Sequence, residues 1–421
     1  MRKELEPQLR RDYVWNTASS IMASASTVLM LLVVTRVSGI YLGGVFALAT
    51  AVGQQFQSLG MYEVRTYQAT DVRHRFSFGN YHATRLITVG LMSIGIVLYP
   101  ILGNQPRDDL VLLILLAALR IMDAFEDVFL GELQRDGRLD LAGRAYFFRV
   151  LLVTITFIVV LVVTRNLMTT AVVSLIASGL GVLFLVVLPS RSLFPIRPIF
   201  VVRPIRAILV ACLPLFLAAF LAIYLSNAPK FAIATYMNND VQGYFAILFM
   251  PAFTINLLST MLFRPLLTRM ALVWTRGDRV GFTRLMTRGL QGATLAFLVT
   301  FSVTFLIGVP LLNFMYAEDI ASYKAEMLVL VVGGAFNALS TILYYGLATM
   351  RRQHLVFVGY ATAGGVVLAL SAMLVARHGI MGASISYAVA MATLTVVFSV
   401  SYWWSLHRIS DGGHKKRLIE G

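Results

Sequence analysis

Between Arg120 and Asp127 an otherwise apolar run carries one guanidinium and three carboxylates: Arg120, Asp123, Glu126 and Asp127. Helical spacing puts Arg120, Asp123 and Asp127 on one face, at i, i+3 and i+7. Such a strip can do chemistry of binding. The guanidinium can take a phosphate or a sugar hydroxyl, and the acids can bind a coupling cation or hold the arginine. The strip can equally be an internal salt bridge that only neutralises itself. Arg85 and Arg149 stand about one and two turns inside neighbouring apolar runs. Residues so near an interface can snorkel to headgroups. Alternatively they join Arg120 in one cavity, where a pyrophosphate would meet guanidinium forks able to bind it bidentately. Asn16 and Asn227 either line that cavity or cross-link helices by hydrogen bonds. The same two readings apply to Gln54, Gln55 and Gln57. Glu63 is expected to pair with Arg65 or an adjacent loop cation.

Motifs for covalent chemistry are missing from the sequence. It holds no GxxxxGK[ST] phosphate loop, no HExxH and no CxxC. Asp108, Asp109, Asp240, Glu318 and Asp319 form no DxD pattern. The single cysteine, Cys212, cannot form an intrachain disulfide. The expectation is a protein that is not an enzyme, with no catalytic residue, cofactor or resident metal.

The elements that must position these charges are membrane helices. Of 421 residues, 58% are hydrophobic and 13% charged, and the mean hydropathy is +0.78. Soluble domains carry about 25% charged residues. A soluble enzyme, a disordered chain and a disulfide scaffold are therefore excluded, and an all-α polytopic membrane protein is expected. A span needs about 20 mainly apolar residues. Twelve candidates run approximately 14–36, 40–62, 82–103, 110–131, 142–163, 167–188, 207–228, 241–263, 289–310, 326–349, 355–376 and 380–404. The first is too long for a cleavable signal peptide and is expected to stay.

The net charge of +15 follows the topology. With both termini inside, 26 of the 35 Lys and Arg fall on inner segments, six on outer ones and three within spans. That is the positive-inside pattern, so both termini are expected in the cytoplasm and nucleic acid is not needed to explain the charge. Tyr402, Trp403 and Trp404 suit an interfacial belt. Pro195, Pro198 and Pro204 mark a linker. The expected division is an N-terminal lobe over 1–188, a linker over 189–206, a C-terminal lobe over 207–408 and a tail over 409–421. Pro229 and Lys230 are expected to end or kink the seventh span. The basic, apolar-interleaved stretch Leu266 to Arg288 is expected along the inner leaflet, attracted to anionic lipid.

The halves repeat faintly. VTRVSGIYLGGVFALA joins spans 1 and 2, and IATYMNNDVQGYFAIL joins spans 7 and 8. Gly44-Val-Phe-Ala and Gly243-Tyr-Phe-Ala fall at matching places. Parallel repeats of this kind build transporters around a central site.

Three segments carry a resemblance: the run from Arg36 (RVSGIYLGGVFALA), the run from Arg120 (RIMDAFEDVFLGELQRDGRLDLAG), and NAPKFAIATYMNNDVQGYFAILFMPAF. They resemble the bacterial oligosaccharide flippases of the multidrug/oligosaccharidyl-lipid/polysaccharide exporter superfamily. The resemblance implies two six-helix lobes around a central cationic cavity in the bacterial cell membrane. It implies ion-coupled alternating access, carrying an undecaprenyl-pyrophosphate-linked oligosaccharide from the inner to the outer leaflet. Membrane lipids and polysaccharide assembly machinery would be its partners. Because an arginine near the end of span 1 is common in that family, Arg36 joins Arg120, Arg149, Arg85, Asn16 and Asn227 as a substrate-binding candidate. Asp123, Glu126 and Asp127 are the ion-coupling candidates. Two rivals stand beside this reading: an ion-coupled multidrug or organic-cation exporter of the same superfamily, and a membrane-embedded glycan polymerase or glycosyltransferase.

Overall fold

The computed structural model describes the backbone of residues 2–71, 73–103 and 106–417, and their side chains except those of 2–7, 9, 260–268 and 407–417. The side chains of Arg2, Lys3, Arg264 and Arg408, and those of the tail expected at 409–421, lie outside the described residues. About nine-tenths of the chain is helical, with no strand among the described residues.

The helices are α1 (Arg2–Met61), α2 (Val64–Thr70), α3 (Phe78–Leu102), α4 (Arg107–Arg135), α5 (Leu139–Thr164), α6 (Leu167–Val182) and α7 (Leu188–Ser190). They continue as α8 (Val202–Tyr236), α9 (Asn239–Leu248), α10 (Met250–Thr275), α11 (Arg279–Val303), α12 (Val309–Tyr316), α13 (Lys324–Thr349) and α14 (Gln353–Arg417). Among the described residues nine helices are long and apolar enough to cross a membrane. Two of these are double. Gly39 in α1 has φ +86° and Gly379 in α14 has φ +56°, a region that L side chains rarely adopt. One glycine thus joins span 1 to span 2, and another joins span 11 to span 12, with no loop between. Helix α4 is not among these nine, since it carries the strip of four charges, yet it is helical from Arg107 to Arg135. Each of the twelve expected spans is thereby occupied by helix.

The chain is a multi-pass membrane protein, and its surface agrees. On α5, Ile155, Val159 and Val163 are exposed at i, i+4 and i+8, while Val153, Phe157 and Leu161 are buried. An exposed apolar stripe of that length belongs against lipid.

Prolines shape the long helices without stopping them. Pro189 and Pro310 each follow a π-helical turn, Leu183–Val187 and Thr304–Gly308. A proline cannot donate, and it pushes away the carbonyl one turn back, so the preceding turn widens. Of the two outcomes expected at Pro229, an end or a kink, the end does not occur: α8 runs on to Tyr236. Lys230 therefore lies inside a helix rather than in an outer loop. The stretch from Leu266 to Arg288 is not a single run along one surface. It is a helical elbow, with α10 ending at Thr275, a turn at Gly277 (φ +74°) and α11 starting at Arg279. Phe282, Leu285 and Met286 are buried in the protein.

The chain divides into two compact units: Met1–Ile223 with Asn238–Gly243, and Tyr224–Met237 with Tyr244–Gly421. The first is built on an aromatic core of Phe76, Phe78, Tyr81, Phe129 and Phe194. The non-helical stretch after Ser190 is pinned to α3, with Ile199 N–H on Gly79 O at 2.9 Å and His82 Nδ1 2.8 Å from Ile196 O. Gly44 and Gly243, the matching glycines of the repeat, both belong to this unit. A Cβ on Gly44 would stand 1.8 Å from Asn239 O, and one on Gly243 would stand 2.4 Å from Ile40 O. Beside this crossing, Asp109 accepts from Tyr41 Oη at 2.7 Å and Asn239 Nδ2 at 2.9 Å. In the second unit α13 packs on α14 at Gly333, where a Cβ would meet the Tyr387 ring at 2.5 Å.

Candidate functional site

Helix α4 supplies the strip, and α1, α2, α3, α5 and α6 close around it. Asp123 sits between two arginines. Arg120 Nη1 is 3.1 Å away, and Arg149 of α5 donates to its other oxygen. Asp127 likewise sits between Arg85 of α3, at 2.7 Å, and Arg65 of α2, at 3.3 Å. Glu126 meets Arg149 Nη2 at 2.6 Å, but the angles make no hydrogen bond, and neither of its oxygens has one. Four guanidiniums therefore meet three carboxylates along α4, in two adjacent groups, one around Asp123 and Glu126 and one around Asp127.

Burial separates these arginines into two kinds. Arg85 is 0% and Arg149 2% exposed. Arg85 also donates to Gly60 O, and Arg149 to Ser178 Oγ at 3.0 Å. The forks of both face carboxylates, and Arg149 also lines the cavity onto which Arg120 opens. Arg120 is different. Its side chain is 24% exposed, and its second nitrogen reaches Thr27 Oγ1 at 3.1 Å. Gly53 and Gly181 leave room for the two stems, since a Cβ on either would stand 2.9 Å from Cγ of Arg120 or Arg149 respectively.

Arg120 opens onto a cavity lined also by Ser26, Thr27, Asp123, Tyr146, Arg149 and Ser178. It measures about 50 Å³, room for a few waters and none for a sugar ring. Its wall is mixed. Met30, Phe46, Leu116 and Val153 line it together with the hydroxyls and guanidiniums. Such a pocket can hold water or a small ion beside a cation that faces outward.

The remaining candidates separate from this site. Arg36 is exposed near the Gly39 break. Asn16 is half-buried, and its backbone abuts Gly143 of α5. Asn227 is buried in the second unit, where its Oδ1 accepts from Lys230. Gln55 donates to Phe220 O at 3.2 Å, a helix cross-link, while Gln57 reaches Asp123 at 3.5 Å. Glu63 does not pair with Arg65; it accepts from Thr66 Oγ1 at 2.7 Å. Sequence reading did not connect Arg65 to the strip. Nothing local marks that contact, which needs α2 to fold back along α4.

No family model matches the chain, and no curated protein matches it in sequence. Solved structures do. The lipid II flippase MurJ, in an inward closed conformation, superposes with a TM-score of 0.70 at 13% identity, over 91% of this chain and 87% of that one. An inward-facing multidrug resistance MATE family transporter of the MOP superfamily gives 0.62 at 15%, over 95% of both chains. The chain shares the fold of these transporters. A MOP-superfamily transporter of Pyrococcus furiosus, described as having a binding pocket of reverse polarity, gives 0.59 at 15%, over 96% of this chain and 95% of that one.

Proposed function

We propose that the protein is a flippase. It carries an undecaprenyl-pyrophosphate-linked oligosaccharide from the inner to the outer leaflet of a bacterial cell membrane by ion-coupled alternating access. The two lobes are taken as 1–188 and 207–408, with both termini in the cytoplasm. Polysaccharide assembly enzymes would supply and consume the substrate.

One observation carries this reading. Outside the α4 strip the intramembrane charges of the first unit, Arg85 and Arg149, are both arginine, and the arginine of the strip, Arg120, is left partly open. A guanidinium with spare donors suits a pyrophosphate and opposes an organic cation. Arg36, exposed near the Gly39 break, is a second contact along the substrate path. Arg85 and Arg149 serve as counter-charges that keep α4 in place, and Asn16 supports helix packing.

For coupling, Glu126 is the preferred group among Asp123, Glu126 and Asp127. It lacks hydrogen bonds on both oxygens, so a proton placed there breaks the fewest contacts. The MATE likeness favours the rival drug exporter, for which the same carboxylates would serve a cation.

The test is flipping of a fluorescent undecaprenyl-pyrophosphate oligosaccharide in proteoliposomes, with Arg120→Ala beside the parent. Losing one charge-assisted contact costs about 1.5–3 kcal/mol, so about tenfold or more slower flipping is expected. Efflux of organic cations by a parent that flips no lipid-linked glycan would establish the exporter instead.

A further inference from the structure

The ion pairs of the first unit leave one helix cation unexplained. Lys230 stands six residues before the end of α8, about 9 Å along the axis. It belongs to the second unit, on the C-terminal side of the apolar stretch of α8. Its Nζ donates to Asn227 Oδ1 at 3.2 Å and lies 5.4 Å from the centre of the Phe249 ring. Among the described residues no carboxylate is within ion-pair distance of it. Arg65, Arg85, Arg120 and Arg149 all have one.

The direction of the side chain is informative. A lysine that snorkels runs toward the near end of its helix, where headgroups lie. Lys230 does the opposite. It turns back one helical turn to Asn227, away from Tyr236, and stays over an aromatic face. An ammonium has three donors. Asn227 takes one and the ring face attracts the charge, which leaves donor capacity and a whole positive charge without an anion. The residue as a whole is half-buried.

We propose that Lys230, oriented by Asn227 and Phe249, is an anion site of the second unit that takes a phosphate group of the lipid-linked substrate. This rests on the flippase reading above and adds a selectivity element to it. The same charge that attracts a phosphate repels an organic cation.

The test uses the full chain in phosphatidylcholine nanodiscs. Acetylation of Lys230 by acetic anhydride is followed by mass spectrometry, with undecaprenyl pyrophosphate or phosphatidylglycerol as the added probe. Undecaprenyl pyrophosphate is expected to slow Lys230 acetylation, while phosphatidylglycerol at the same concentration does not. Binding of undecaprenyl pyrophosphate is expected to weaken about tenfold or more in Lys230→Gln and to stay near the parent value in Lys230→Arg. Equal protection by phosphatidylglycerol would overturn the substrate assignment and make the ligand an annular lipid headgroup. No protection by either, in a parent that binds undecaprenyl pyrophosphate, would overturn the site and leave the flippase reading standing. A parent that neither binds nor flips any pyrophosphate lipid would remove the flippase reading itself.

Discussion

Arg149 crosses from α5 to α4 and touches two carboxylates at once, so its removal is felt twice. Asp123 and Glu126 are both buried, and each would lose a counter-charge. Breaking a buried ion pair from one side costs about 3–5 kcal/mol. Arg149→Met should therefore lower the thermal unfolding temperature in detergent sharply, and adding Glu126→Gln should recover part of the loss. An unchanged unfolding temperature in Arg149→Met would show that these ion pairs are not holding α4 and α5 together. The charged positions themselves were readable, since ionisable residues stand out in apolar runs. Their partners were not. The i, i+3, i+7 spacing placed Asp123 and Asp127 with Arg120, but only packing brings Asp123 to Arg149 and Asp127 to Arg85 and Arg65.

Asp71 organises the turn between α2 and α3. Its carboxylate accepts from Arg75 N–H at 3.0 Å, Phe76 N–H at 3.1 Å and Tyr81 Oη at 2.9 Å. Burial works to raise its pKa. The two backbone N–H groups, the Tyr81 hydroxyl and the Arg135 guanidinium outweigh that and hold it below the ordinary 3.8. A depressed folded value means stability that is present above the unfolded pKa and lost as pH falls through the folded one. Asp71→Asn should thus lower the unfolding temperature at pH 7, and the gap to the parent should shrink below about pH 4. A gap that persists undiminished at pH 3 would assign the effect to shape rather than charge. Elements of this kind were partly legible. Ser77 caps α3, with Asn80 returning the bond, and the polar residues that do this are visible in the sequence. Pro229 does not end α8, because a proline ends a helix only where nothing else supports the continuation, and Leu225, Ala228 and Ile233 of α8 are all buried.

Across the whole molecule the cation distribution makes the strongest statement, and labelling can check it. In a Cys212→Ser background, a cysteine at Arg165 is expected to react with an impermeant maleimide in intact cells. One at Ser192 should react only after permeabilisation. Both positions are exposed in the structure. The reverse pattern would invert the topology and with it the direction of flipping.

The sequence by itself determined the helices, their number and their apolar faces. Those depend on local hydropathy and on the need to satisfy every backbone group inside lipid. It also showed which residues pay an insertion penalty of about 2.5–3.5 kcal/mol and so require a reason. Only the tertiary structure decided what the reason was. Whether a guanidinium faces a carboxylate or open space depends on which helix lies across from it, and that is set by long-range packing. Arg85 was thereby placed in the interior, Arg149 between two carboxylates and the cavity wall, Arg120 at the cavity, and Lys230 beside Asn227 with no acid among the described residues to meet it.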